Sequence, residues 1–283
     1  KSRSASPSAP EKLLPLITRQ MIDVLFIVYK SGSMAYAMNK EDIKYYYDPW
    51  GNRHEYADEG RRRIDAVKTA VDSITNGLSE NEKLDVWYSL VTFSGEEGYQ
   101  RYDDASVVPV SGGQRNWTPN ANAIQNAVDS IDPDGGTNYE AGIYTGAQQL
   151  ARGRNGALKV VIFLSDGEPT FYYDEDGYTQ GSGNTYNDTY LEQAEELCHN
   201  LAANYFYTVG VGYDADQIET VLTSLKDAAR KVDEANRKMF TATDTNELLK
   251  AFEDIEAGIT FFAANNITIT DPLSEYADLV LTS

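Results

Sequence analysis

The sequence predicts a doubly wound α/β domain built on a mostly parallel, open, Rossmann-like sheet, and three observations carry the prediction. Ile22-Asp23-Val24-Leu25-Phe26-Ile27-Val28 and Leu158–Leu164 are nearly continuous apolar runs, as expected of parallel strands covered on both faces. Segments with apolar residues three and four apart alternate with such runs; Ile64, Val67, Val71, Ile74 and Leu78 trace the stripe of a helix with one buried face. Short stretches rich in Gly, Ser, Thr and Asp follow the runs, and loops at the carboxyl ends of strands are where open α/β sheets bind ligands.

Taken in order, residues 1–12 read as a linker by composition, and Leu13–Thr18 as a candidate strand of a flanking β-module, so residues 1–20 stand apart from an α/β unit expected over 21–258. After the first strand, residues 36–60 keep no clean period and carry Tyr45, Tyr46, Tyr47, Trp50 and Tyr56, which marks an insertion. The helix bearing Ile64 leads to a strand at Leu84–Phe93 and a short edge strand at Val107–Val110. Ile124, Val128 and Ile131 mark a helix after Pro119, and Ile143, Ala147 and Leu150 another that starts just after Thr137. Leu158–Leu164 is followed by a second aromatic insertion over residues 171–190. Then come a helix at Leu191–Ala203, a strand at Tyr205–Val211, a helix through Ile218, Val221, Leu222 and Leu225, a strand at Lys238–Thr241 and a last helix through Leu248, Leu249, Phe252 and Ile255. Residues 259–283 change to period two at Ile267–Thr270 and Leu279–Thr282 and are expected to be part of the β-module, with the α/β unit inserted into it.

A length of 283 residues with 41% apolar content suits one large domain. No run approaches the roughly 18 apolar residues of a membrane span. The formal charge of -20 argues against nucleic-acid binding, since phosphates would be repelled over most of the surface. One cysteine cannot form an internal disulfide, and Cys198 keeps helical spacing with Leu191, Ala194 and Leu197, as a core residue does.

The candidate site lies in three separated loops. Ser31 and Ser33 can present two hydroxyls after the first strand, Thr137 a third from Gly135-Gly136-Thr137-Asn138, and Asp166 a carboxylate from Leu164-Ser165-Asp166-Gly167-Glu168. Hard oxygen donors of this kind suit Mg2+, with Mn2+ or Ca2+ as substitutes. Three hydroxyls bring little charge, so such an ion would keep a position open for a partner's carboxylate. The same residues also have plainer roles open to them: the serines could satisfy backbone groups, and Thr137 could cap a helix with Glu140 at the capping-box position. Elsewhere, Asp174-Glu175-Asp176-Gly177 lacks the spaced ligands of a calcium loop and reads as a solvated turn. His54 with scattered carboxylates is a weak zinc candidate, and Gly210-Val211-Gly212 lacks the remaining glycines of a dinucleotide fingerprint. Neither His54 nor His199 lies on a motif that would activate a serine, so no enzyme is expected.

These motifs, in this order, resemble the von Willebrand factor A domain, whose metal-ion-dependent adhesion site follows the pattern Asp-x-Ser-x-Ser, then Thr, then Asp. The resemblance spans roughly residues 20–258; Ser31, Ser33, Thr137 and Asp166 match, and Tyr29 stands where the first Asp belongs. Lys30–Met34, Gly135–Asn138, Ser165–Pro169, the two insertions and the tail Ile267–Leu273 are similar in detail to the A domains of Gram-positive pilus-tip adhesins. The resemblance implies a non-enzymatic adhesion module on a bacterial cell surface or pilus tip, extracellular and cell-wall linked. Its partners would be a host matrix or cell-surface protein offering a carboxylate and a pilus backbone subunit. Tyr29 replaces an ionised side chain by a neutral phenol, whose ordinary pKa is about 10, and is expected to weaken or disable the metal site. The alternative reading is a structural or metal-independent binding module.

Overall fold

The computed structural model describes residues 16–17, 19–96, 98, 100–265 and 269–270. A two-residue strand, β1 (Leu16–Ile17), precedes β2 (Gln20–Tyr29), in which every residue from Ile22 to Tyr29 is buried. The first insertion folds as an antiparallel hairpin, β3 (Lys44–Tyr47) and β4 (Arg53–Tyr56), with Tyr45 opposite Glu55 and Tyr47 opposite Arg53. α1 (Arg63–Glu80) buries the expected Ile64, Val67, Val71, Ile74 and Leu78. β5 (Leu84–Phe93) and β6 (Ala105–Val107) follow. The edge strand therefore lies ahead of the expected Val107–Val110. Its ladder pairs Val91 with Val107 and Phe93 with Ala105, and Pro109, which has no N–H to donate, cannot extend it.

Next come α2 (Ala121–Asp129), α3 (Tyr139–Ala151) and β7 (Leu158–Ser165). The second insertion holds another antiparallel hairpin, β8 (Phe171–Tyr173) and β9 (Thr179–Gly181). α4 (Asp188–Cys198) starts inside the expected insertion, because the Asn187 side chain caps it by accepting from the Thr189 N–H at 3.0 Å. β10 (Tyr205–Val211), α5 (Glu219–Ala228) and β11 (Arg237–Ala242) complete the sheet. α6 (Thr245–Asn265) runs on past residue 258, and β12 (Ile269–Thr270) pairs antiparallel with β1. The expected linker at 1–12 and the Leu279–Thr282 segment lie outside the described residues.

The main sheet has the order β11-β10-β7-β2-β5-β6 and is parallel except for β6. This is the doubly wound fold the patterning predicts. α1 packs with α2 and α6, and α4 with α3 and α5, giving a helical layer on each side. Register sets the position of everything functional: Val28 lies beside Leu164 and Ser165 beside Gly210, so β2, β7 and β10 end level with one another. An acid interrupts the apolar run of β2. Asp23 is fully buried, and its carboxylate accepts from Arg154 Nε at 2.8 Å, Arg154 N at 2.7 Å and Lys159 Nζ. Among the described residues no helix is long and apolar enough to cross a membrane.

Candidate functional site

The level strand ends and the turn before α3 enclose a cleft of about 490 Å3 that contains Ser31, Ser33, Thr137 and Asp166 together. Backbone bonds hold the loops against one another: Lys30 N donates to Phe93 O at 2.9 Å, Gly32 N to Gly135 O at 3.1 Å, and Asp134 N to Lys30 O at 2.6 Å. Gly135 has φ of +85°, which lets the turn double back beside the serine loop. Asn138, not Thr137, caps α3, accepting from Ala141 N at 3.0 Å. Glu140, expected in a capping box, instead accepts from Tyr173 N at 2.7 Å. Thr137 is thereby left to hold the second arm, its carbonyl accepting from Thr170 N and Phe171 N at 2.8 and 2.9 Å.

The side chains form a closed network. The Tyr29 phenol is hydrogen-bonded to the Thr137 hydroxyl. The Ser31 and Ser33 hydroxyls lie 2.8 Å apart, and Ser33 donates to Asp166 Oδ1 at 2.8 Å. The other oxygen, Asp166 Oδ2, accepts from Arg63 Nη1 at 3.0 Å, while Arg63 Nη2 donates to Asp214 Oδ1 at 2.7 Å. Burial, reinforced by the charge of Asp166, pushes the Tyr29 phenol well above its ordinary range, so it stays neutral. Burial also raises Asp166, against the pull of the Arg63 charge. Burial works against the Arg63 charge too, but Asp166 and Asp214 outweigh it and leave the guanidinium firmly protonated.

A hard divalent ion needs oxygen lone pairs and negative charge around it. Here the Thr137 hydroxyl faces a neutral phenol, the serines are bonded to each other, and both oxygens of Asp166 are engaged, one by a cation. Among the described residues no group of three or more His, Cys, Asp or Glu side chains is placed to hold a metal ion. His54 sits on an exposed arm, 3.2 Å from Asp48 and stacked on Tyr46. Ser31, Ser33, Thr137 and Asp166 as arranged make a poor site for a divalent cation, with one carboxylate already paired with Arg63 and a neutral phenol at position 29.

The sequence profile of the von Willebrand factor type A domain matches residues 23–254. The chain belongs to that family. Among solved structures, this von Willebrand factor A domain is similar in fold to the PilB minor pilin from Streptococcus sanguinis, with a TM-score of 0.64 at 19% identity over 87% of this chain and 62% of that one. The pilus adhesin SpaC from Lactobacillus rhamnosus GG matches with a TM-score of 0.57 at 18% identity, over 86% of this chain and 31% of that one. The vWF domain of the type V pili tip protein Mfa5 from Porphyromonas gingivalis matches with a TM-score of 0.56 at 12% identity, over 92% of this chain and all of that one. The chain thus spans less than two thirds of the first two neighbours. No curated protein matches the sequence.

Within this domain the four family-motif positions converge as expected, and the residue the sequence reading missed is Arg63. Its signal was available: position 63 is in phase with Val67, Ala70, Ile74 and Leu78, so the stripe of α1 carries an arginine at its buried end. Glu140 offers a check on the electrostatics nearby. Burial, with Asp104 and Glu196 adding to it, raises its pKa. A carboxyl whose folded-state pKa is raised contributes stability below its unfolded value that is lost as pH rises through the folded one. Glu140→Gln keeps the acceptor for Tyr173 and is expected to raise the melting temperature by about 1–2 °C at neutral pH and to leave it unchanged near pH 3.5. An equal gain at both pH values in thermal unfolding would contradict this assignment.

Proposed function

We propose that this domain is a non-enzymatic adhesion module of a bacterial surface or pilus protein, extracellular and cell-wall linked, that binds a host matrix or receptor protein without a metal ion. One observation carries the reading: the β3–β4 arm leaves the carboxyl end of β2 and raises exposed aromatics beside the cleft. Tyr45, Tyr47 and Trp50 are 47, 68 and 84% exposed, and the arm is anchored at the cleft by Tyr213, whose hydroxyl donates to Glu55 at 3.0 Å. Aromatic side chains held in such positions dominate protein interfaces. The closed network beneath them supports independence from metal.

A second reading keeps Mg2+, Mn2+ or Ca2+ on Ser31, Ser33, Thr137 and Asp166, with a partner carboxylate completing the coordination. Family membership favours it. The two separate in one assay, in which beads carrying the domain are tested on collagen, fibronectin and laminin surfaces with and without chelator. Adhesion should ignore the chelator and fall by about tenfold or more in a Tyr45→Ser, Tyr47→Ser, Trp50→Ser variant whose melting temperature is unchanged. Loss with chelator supports the metal-assisted reading, and full adhesion by the triple variant removes the arm from the account.

A further inference from the structure

Arg63 is 2% exposed and sits at the first helical position of α1. An arginine in that setting is tolerated only if its charge and its donors are matched. They are matched by three loops at the carboxyl end of the sheet. Nη1 reaches Asp166 after β7, Nη2 reaches Asp214 after β10, and Nε faces the Ala37 carbonyl after β2 at 3.4 Å. The Tyr213 and Tyr36 rings lie 5.2 and 5.9 Å from the guanidinium carbon, a cation–π arrangement that shields the group from water. The backbone makes room for it as well. Gly212 has φ of +119°, and a β-carbon there would lie 2.5 Å from Arg63 Nε.

We propose that Arg63 is the built-in cation of this cleft. Its guanidinium supplies the positive charge beside Asp166 and ties the loop after β7 to the loop after β10 and to Ala37, while Tyr29, in the place of the carboxylate an ion would need, bonds to Thr137. The two residues fit one another. A carboxylate at position 29 would call for more positive charge than Arg63 shares with Asp166 and Asp214, whereas a phenol bonded to Thr137 calls for none. The planar fork of an arginine suits this work, since it reaches two carboxylates at once in fixed directions. The inference rests on the metal-independent reading of the cleft, but it concerns how the site is assembled and not what it binds.

The test uses purified protein and no adhesion ligand, so it stands or falls apart from the bead assay. Thermal unfolding and calorimetric titration with Mg2+ and Mn2+ would be run on the wild type, Arg63→Gln, Arg63→Lys, Tyr29→Asp and the Tyr29→Asp, Arg63→Gln pair. The wild type should melt at one temperature with chelator or millimolar Mg2+ and give no binding heat. Arg63→Gln should melt about 10 °C lower, with no rescue by Mg2+, and Arg63→Lys should fall between the two. The double variant should bind Mg2+ and be stabilised by it, on the order of tenfold more tightly than Tyr29→Asp, in which Arg63 still holds Asp166. A wild-type melting temperature that responds to Mg2+ or chelator overturns the proposal. So does a Tyr29→Asp single variant that binds Mg2+ as tightly as the double. If the double variant fails to fold, Arg63→Lys decides: a melting temperature no higher than that of Arg63→Gln would mean that the charge is not what the site requires.

Discussion

Arg154→Met is expected to lower the melting temperature by roughly 10 °C, from a loss of about 3–5 kcal/mol when a buried pair loses one member. Asp23 lies fully buried in β2, and Arg154 supplies it with both its own backbone N–H and Nε. The same side chain reaches Asp85 Oδ2 at 2.7 Å and the carbonyls of Ile22 and Asp85 at 2.8 Å, so it ties the amino ends of β2 and β5. Methionine retains much of the apolar stem but removes the guanidinium, whose carbon lies 5.0 Å from the centre of the Trp87 ring, leaving Asp23 with Lys159 as its remaining cation among the described residues. The measurement is urea or thermal unfolding followed by circular dichroism. A shift under about 2 °C would show that Lys159 suffices.

Gly212→Ala is the second large effect, with a comparable fall of roughly 10 °C expected. Its φ of +119° is a region that residues with a β-carbon avoid, and the added methyl would meet Arg63 Nε, Cζ and Cδ at 2.5, 2.7 and 3.0 Å. The backbone strain alone costs about 1–3 kcal/mol, and displacing the guanidinium adds the loss of its bonds to Asp166 and Asp214. Combining Gly212→Ala with Arg63→Gln separates the contributions: if collision with the guanidinium matters, the pair loses less than the sum of the two singles.

The sheet was legible because it is buried. β2 and β7 read as apolar runs, and β10 falls at the residues expected for it, Tyr205–Val211. The arms were legible as insertions but not as hairpins. β3 and β4 are mostly exposed, so no inside–outside alternation marks them, and Tyr45-Tyr46-Tyr47 looks the same in any register. Boundaries slipped where one side chain decides, at the Asn187 cap and at Pro109, and at α3 the cap is Asn138 and not the neighbouring Thr137. The motif positions Ser31, Ser33, Thr137 and Asp166 were legible from their order along the chain. Their state was not, because it depends on Arg63, which is 103 residues from Asp166 in sequence and adjacent in space. The same holds for Asp23, whose partners Arg154 and Lys159 are 131 and 136 residues away. A charge inside an apolar pattern announces a partner without saying which.

The pairing of β1 with β12 has a mechanical meaning. Leu16 lies opposite Thr270 and Ile17 opposite Ile269, so the chain enters and leaves the α/β unit side by side, next to the amino end of β2 and remote from the loops that follow its carboxyl end. A pull on the two flanking segments loads that short ladder first. While that ladder holds, tension would pass across the base from one segment to the other without stretching the six-stranded sheet along its strands, and the loops at the far pole would be spared the load.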